Sequence, residues 1–408
     1  MMHPKWDSNQ VPTANRQPGP RMKSWLFPLL LVTSACSAAS AGPGCLEPAN
    51  RFRAQVFPNA DMGKDVAFGQ NHNPLFNNRQ ETLLMNIYQP AGDACVKRPL
   101  IIFMHGGWMQ GGDHNGENGT AEQFAKRGYV SATIDYRLGV GNVFTPRNFA
   151  TPGFMATQDA RAANRFFRKN AALYGIDTNF IYVGGCSAGA YAALFTAYLD
   201  KTGEIPAYVD AGAQDGGIEG NSGNPGFSSR FTGVLSLSGG LLDTNWINRG
   251  DMPVVAVQCS ADPLVPDGGD SLRNPNTQVP FLPSFGASAV KARANHMGIG
   301  AAVLTFQGAC HCPHPGGPGG VDSTVDFFGK QVYALMTAAP TALAHVTLAR
   351  MALAFDARDL SRLSGSGRVY DLEGKRIDYG KDAERVDHKA GFQSGLYVVR
   401  RESGKGRP

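Results

Sequence analysis

Seven short apolar runs punctuate the chain, at 83–88, 99–104, 130–134, 180–183, 231–237, 253–258 and 302–306. The first alternates apolar and polar positions, as a half-buried strand does. The run 99–104, Pro-Leu-Ile-Ile-Phe-Met, is apolar throughout, as a strand covered on both faces requires. Between the runs lie segments with helical spacing, at 120–127, 155–173, 190–200, 286–297 and 323–337. Strand and helix therefore alternate. The rhythm predicts an α/β fold with a mostly parallel central sheet flanked by helices on both faces, and functional loops at the carboxyl ends of the strands. Three long loops interrupt it, at 211–230, 263–283 and 314–320. The first is glycine-rich and follows the helix at 190–200, so it either lines a cleft or serves as a solvated connection.

Both ends of the chain depart from this rhythm. Residues 1–21 are polar, and Met22-Lys23 then leads into an apolar stretch at 25–32 and a small-residue tract ending Ala39-Ser40-Ala41. That order reads as a secretory signal cut before Gly42, with an apolar core too short to span a bilayer stably. Translation from Met1 and from Met22 both remain open, and Thr33 sits poorly for a lipid-modified Cys36. After Pro340 the segments become short and charged, with a hairpin expected at 368–377 and a last strand at 395–400.

Composition adds limits. A 42% hydrophobic share with 17% charged residues is ordinary for a globular chain, and 50 glycines with 26 prolines fit long surface loops. The net charge of +5 is spread out, with no basic block interleaved with aromatics, which argues against a nucleic-acid partner. Export would place the cysteines beyond Cys36 in an oxidising compartment. A bridge from Cys259 to Cys310 or Cys312, and one between Cys45 and Cys95, are expected. Cys310-His311-Cys312-Pro313-His314 also offers metal-ligand types, but its C-x-C-x-H spacing matches no common zinc site.

The candidate chemistry centres on Gly185-Cys186-Ser187-Ala188-Gly189, which follows the strand at 180–183 and opens the helix at 190–200. Small residues on either side allow a turn tight enough to expose a serine hydroxyl above a sheet. Ser187 is the expected nucleophile and needs a base. His311, on the loop beyond the last strand of the sheet, is the first choice; His314 is the rival, and His296 is expected on the surface. Asp262, in Asp-Pro-Leu-Val-Pro after the strand at 253–258, is the expected acid, with Asp243 as the alternative. The oxyanion donors are expected to be the amides of Ala188 and of Gly107 or Trp108 in His105-Gly106-Gly107-Trp108. His105 is expected to organise that loop, and Trp108 and Cys186 to contact substrate. This set calls for neither a metal nor an organic cofactor.

With these motifs in place, the core from Leu83 to Met336 resembles the α/β-hydrolase superfamily, and within it the secreted carboxylesterases related to hormone-sensitive-lipase-type and feruloyl esterases. His105-Gly106-Gly107, Gln158-Asp159-Ala160-Arg161-Ala162-Ala163, Tyr174-Gly175-Ile176-Asp177 and Asp262-Pro263-Leu264-Val265-Pro266 carry the likeness beside the serine turn. Trp108 stands where the family often has a third glycine, and Cys186 replaces the usual residue before the serine. The resemblance implies an exported serine carboxylic-ester hydrolase working through an acyl-enzyme on an ester substrate, such as acetyl or feruloyl groups of plant polysaccharide. Polyesters and lipid esters are the alternatives among hydrolases, and a catalytically inactive adhesion protein is the alternative outside them. Val369-Tyr370-Asp371-Leu372-Glu373-Gly374-Lys375 and Gly395-Leu396-Tyr397-Val398-Val399 resemble a type IX secretion sorting domain. That likeness implies a bacterial secretion machinery as partner and a location outside a Gram-negative cell, reached through the periplasm. The expected organisation is a disordered N-terminus plus signal peptide at 1–41, a catalytic domain at 42–340, a linker at 341–361 and a small β-rich domain at 362–408.

Overall fold

The computed structural model describes residues 45–46, 48–313 and 321–338, and the backbone of three strands at 367–370, 376–377 and 398–401. The expected signal segment and linker lie outside the described residues, as does His314. In chain order the strands of the main sheet are β1 (Ala60–Asn73), β2 (Arg79–Pro90), β3 (Arg98–Met104), β4 (Val130–Ile134), β5 (Ile176–Cys186), β6 (Gly233–Leu237), β7 (Val254–Cys259) and β10 (Ala301–Phe306). They lie side by side as β1-β2-β4-β3-β5-β6-β7-β10. The β1-β2 and β2-β4 pairs are antiparallel and every later pair is parallel. An antiparallel start, an exchange of β3 and β4, and then parallel strands in chain order make this the α/β-hydrolase fold.

Helices cover both faces, and β3 shows why its sequence is apolar throughout. Leu100, Ile102 and Met104 pack in one core with α2 (Pro146–Lys169), α4 (Ala188–Tyr198) and α5 (Ala287–His296). Ile101 and Phe103 face the other core, with α1 (Asn118–Ala125) and α6 (Val321–Thr337). The period-2 alternation thus sends successive side chains into two different cores. The short α3 (Ala171–Tyr174) links α2 to β5.

Four departures from expectation have local causes. The strand β1 is mostly exposed and polar, so no apolar run announces it; its pairing with β2 holds it. The long loop expected at 263–283 contains a hairpin, β8 (Gly269–Arg273) with β9 (Pro280–Phe285), concealed by its three prolines. The helix α2 begins at Pro146 rather than near 155, with Thr145 capping the Asn148 amide at 3.2 Å; Pro152 and Gly153, both poor helix formers, lie inside it. The glycine-rich loop at 211–230 packs on α2, where Gln158 Nε2 donates to the carbonyls of Ala213, Asp215 and Gly217.

At the C-terminal end, β11 (Gly367–Tyr370) lies between β12 (Arg376–Ile377) and β13 (Val398–Arg401) in an antiparallel three-stranded sheet, at the positions of the expected hairpin and last strand. Among the described residues no helix is long and apolar enough to cross a membrane.

Candidate active site

Ser187 sits between the end of β5 and the start of α4 with φ 55° and ψ −121°, a conformation that an L-residue adopts only when its surroundings impose it. The imposing contacts are backbone ones. A Cβ on Gly189 would lie 2.0 Å from the Met104 carbonyl oxygen, so β3 and the first turn of α4 approach as closely as glycine permits. The Ser187 amide donates to the Leu237 carbonyl of β6 at 2.9 Å. Ala188 is the first residue of α4, so its amide has no carbonyl of its own helix to donate to and remains for an anion.

His311 and Asp262 meet as the sequence proposed. His311 Nδ1 lies 2.8 and 3.0 Å from the two Asp262 carboxylate oxygens. A carboxylate only accepts, so the imidazole proton facing it sits on Nδ1. The Asp262 side chain is fully buried, and its Oδ1 also accepts from the amides of Leu264 (2.9 Å) and Val265 (3.1 Å). The alternative acid, Asp243, caps a 3-10 turn by accepting from the Asn245 amide at 2.8 Å. His296 ends α5 in an exposed position.

Cystines flank His311 on both sides. Cys310 pairs with Cys259, the last residue of β7, and Cys312 pairs with Cys186, the residue before Ser187. The Cα atoms of Cys186 and Cys312 are 5.9 Å apart, which brings the serine turn and the histidine loop together. Cys312 is fixed further by its amide, which donates to Ser238 Oγ at 2.9 Å. The bridge engages the Cys186 sulfur, and Cys186 is not among the residues lining the crevice at Ser187. Both Cys310 and Cys312 are oxidised, so neither offers a thiolate to a metal. A third bridge joins Cys45 to Cys95, as expected.

The loop after β3 lies directly against the serine, since a Cβ on Gly106 would stand 3.3 Å from Ser187 Cβ. Gly107 has φ 117°, and a Cβ there would fall 2.2 Å from the Gly111 carbonyl oxygen. Trp108 follows with φ 59° and lines the crevice together with Ser187 and Ala188. His105 is buried, its Nδ1 2.7 Å from the Gly106 carbonyl and its ring stacked on Tyr136 at 4.3 Å. Burial lowers its pKa, which favours the neutral loop organiser over a base. The rest of the crevice comes from Phe149, Tyr191, Leu264, Val265 and Leu272. Local spacing pointed to none of these as pocket residues, although Leu264 and Val265 belong to the acidic turn already singled out. No residue of the 211–230 loop lines the crevice.

Residues 85–221 match the BD-FAE family model, a span from β2 through the serine turn that stops before Asp262 and His311. Human Carboxylesterase 3 is 30% identical over 215 residues, covering 49% of this chain and 36% of that protein. Gut esterase 1 of Caenorhabditis elegans is 32% identical over 113 residues, 27% of this chain and 20% of its own length. The chain thus spans 36% or less of these curated relatives. Among solved structures, the apo form of Thermogutta terrifontis esterase 2 is 21% identical with a TM-score of 0.46, covering 74% of this chain and 98% of that one. A truncated carbohydrate esterase from gut microbiota is 18% identical with a TM-score of 0.46, covering 68% and 99%.

Proposed function

We propose that the chain is an exported serine carboxylic-ester hydrolase. The observation that carries this reading is the Cys186–Cys312 bridge, which ties the residue before the candidate nucleophile to the residue after the candidate base. The fold and the 30% identity to a carboxylesterase support it.

In this mechanism Asp262 holds His311 through Nδ1, leaving Nε2 to take the Ser187 proton as Oγ attacks the ester carbonyl. Charge gathers on the former carbonyl oxygen, and the amides of Ala188 and of Gly107 or Trp108 are the donors that receive it. Each such donor contributes about 3–4 kcal/mol to the transition state. His311 then gives its proton to the departing alcohol, and a water activated by the same nitrogen hydrolyses the acyl-enzyme. The substrates that fit an exported esterase of this kind are acetyl or feruloyl esters of plant polysaccharide, with a leader at the N-terminus and a sorting segment at the C-terminus directing export.

The test is hydrolysis of p-nitrophenyl acetate. Ser187→Ala and His311→Ala are each expected to lower kcat by at least about 10³-fold, and Asp262→Asn by about as much, because triad members act as a unit. Turnover by Ser187→Ala at the wild-type rate would remove the serine from the mechanism.

A further inference from the structure

The crevice at Ser187 is very small. Its free space is about 10 Å³, and it opens to solvent rather than forming a sealed cavity. Most of its lining side chains are apolar and closely packed. Phe149 and Tyr191 are 2% and 1% exposed and meet edge to face at 5.2 Å. The Tyr191 hydroxyl hydrogen-bonds Ser284 Oγ on β9, so the nucleophile helix and the β8-β9 hairpin are joined at the slot. Leu272, on β8, is 1% exposed and closes one wall, while Leu264 comes from the turn that carries Asp262.

The hairpin is tied to the chain beyond β6. Leu241, just past β6, and Phe285, the last residue of β9, exchange two backbone hydrogen bonds of 2.9 Å. Across the hairpin, Gly269 pairs with Phe285 and Leu272 with Leu282, so the wall residue stands three positions from the strand's anchored end. Widening the slot requires breaking this pairing or emptying a packed side chain.

We propose that this slot is the acyl pocket and that Leu272 and Leu264 restrict the acyl group to acetyl size, excluding longer alkanoyl groups and the ring of a feruloyl group. The inference rests on the esterase reading and selects acetyl over feruloyl within it. The hairpin is then the element that sets specificity, a role no motif in the chain announces.

The experiment compares kcat/KM for p-nitrophenyl acetate, butyrate and octanoate and for methyl ferulate in the full-length oxidised protein. One surplus methylene in a closed apolar pocket costs about 10-fold or more, so acetate is expected to exceed butyrate by at least that factor and octanoate and ferulate by more. Leu272→Ala and Leu264→Ala are each expected to raise the butyrate-to-acetate ratio by about 10-fold, with the thermal transition recorded in parallel. Leu264 is only partly buried, so its variant keeps the test valid where Leu272→Ala weakens folding. Octanoate turned over within about 3-fold of acetate by the wild type, or an unchanged ratio in both variants, would overturn the slot while leaving the esterase intact. Failure to cleave any ester, with Ser187 inert to a fluorophosphonate probe, would overturn the esterase reading and the slot together.

Discussion

Glu117 is a carboxyl group buried inside the protein, accepting a hydrogen bond from the Thr120 hydroxyl at 2.8 Å. Burial is the dominant influence on it and raises its pKa from 4.5 to about 7. Between those two values the folded state holds more protons than the unfolded one, so this group's contribution to stability declines as pH rises through the window. Glu117→Gln keeps an acceptor for Thr120 and removes the titration. It is expected to stabilise the protein at pH 8 by on the order of 3 kcal/mol relative to wild type and to have little effect at pH 4, measured by chemical denaturation at both values. Nothing in the sequence marked Glu117, because burial is a property of the packed molecule. Ser187 was legible for the opposite reason: the small residues around it are a local steric requirement. Asp262 was legible through its place after a strand and before a proline. The bridge of Cys186 was not legible because its partner lies 126 residues away, beyond the reach of any spacing rule.

At the level of elements, strands buried on both faces were visible as apolar runs, and Val130–Ile134 coincides with its run residue for residue. Elements that owe their form to a neighbour were not. The polar β1 and the proline-bearing β8-β9 hairpin are specified by pairing rather than by hydrophobic pattern. The glycine-rich loop at 211–230 is likewise organised from outside. Arg137, 2% exposed, is paired with the fully buried Asp159, and Ser222 in that loop donates to Asp159 Oδ1 at 2.5 Å. Arg165 of α2 donates to the Gly223 carbonyl at 3.0 Å, adding a second tie to the same loop. Asp159→Ala would leave the Arg137 guanidinium buried without its carboxylate, at a cost of about 3–5 kcal/mol. Urea denaturation is expected to register that loss, and limited proteolysis to cut first within 211–230.

Across the whole molecule a mostly parallel sheet covered on both faces was legible, since alternation of strand and helix leaves few ways to cover a parallel sheet. The tethering of the site was legible only in part: a bridge from Cys259 to Cys310 or Cys312 was expected, and the one from Cys186 to Cys312 was not. A combined Cys186→Ala and Cys312→Ala variant is expected to lower kcat by about 100-fold, the scale of a 1 Å misplacement of a reacting group. The corresponding double variant at Cys45 and Cys95 is expected to lower stability by about 4 kcal/mol with far less effect on kcat, given a closed loop of 50 residues. Stopped-assay kinetics and thermal melts of the two pairs separate these outcomes.

The partners of Cys186 and Cys259 are only two positions apart, at 312 and 310, with the histidine between them. During synthesis both earlier thiols emerge long before either mate, and four thiols can join in three ways. An exchange of mates would leave every bond closed while changing which side of the histidine loop is tied to the serine turn. Batches made without a thiol-shuffling catalyst should therefore contain an inert isomer of the correct mass, separable by peptide mapping under non-reducing conditions.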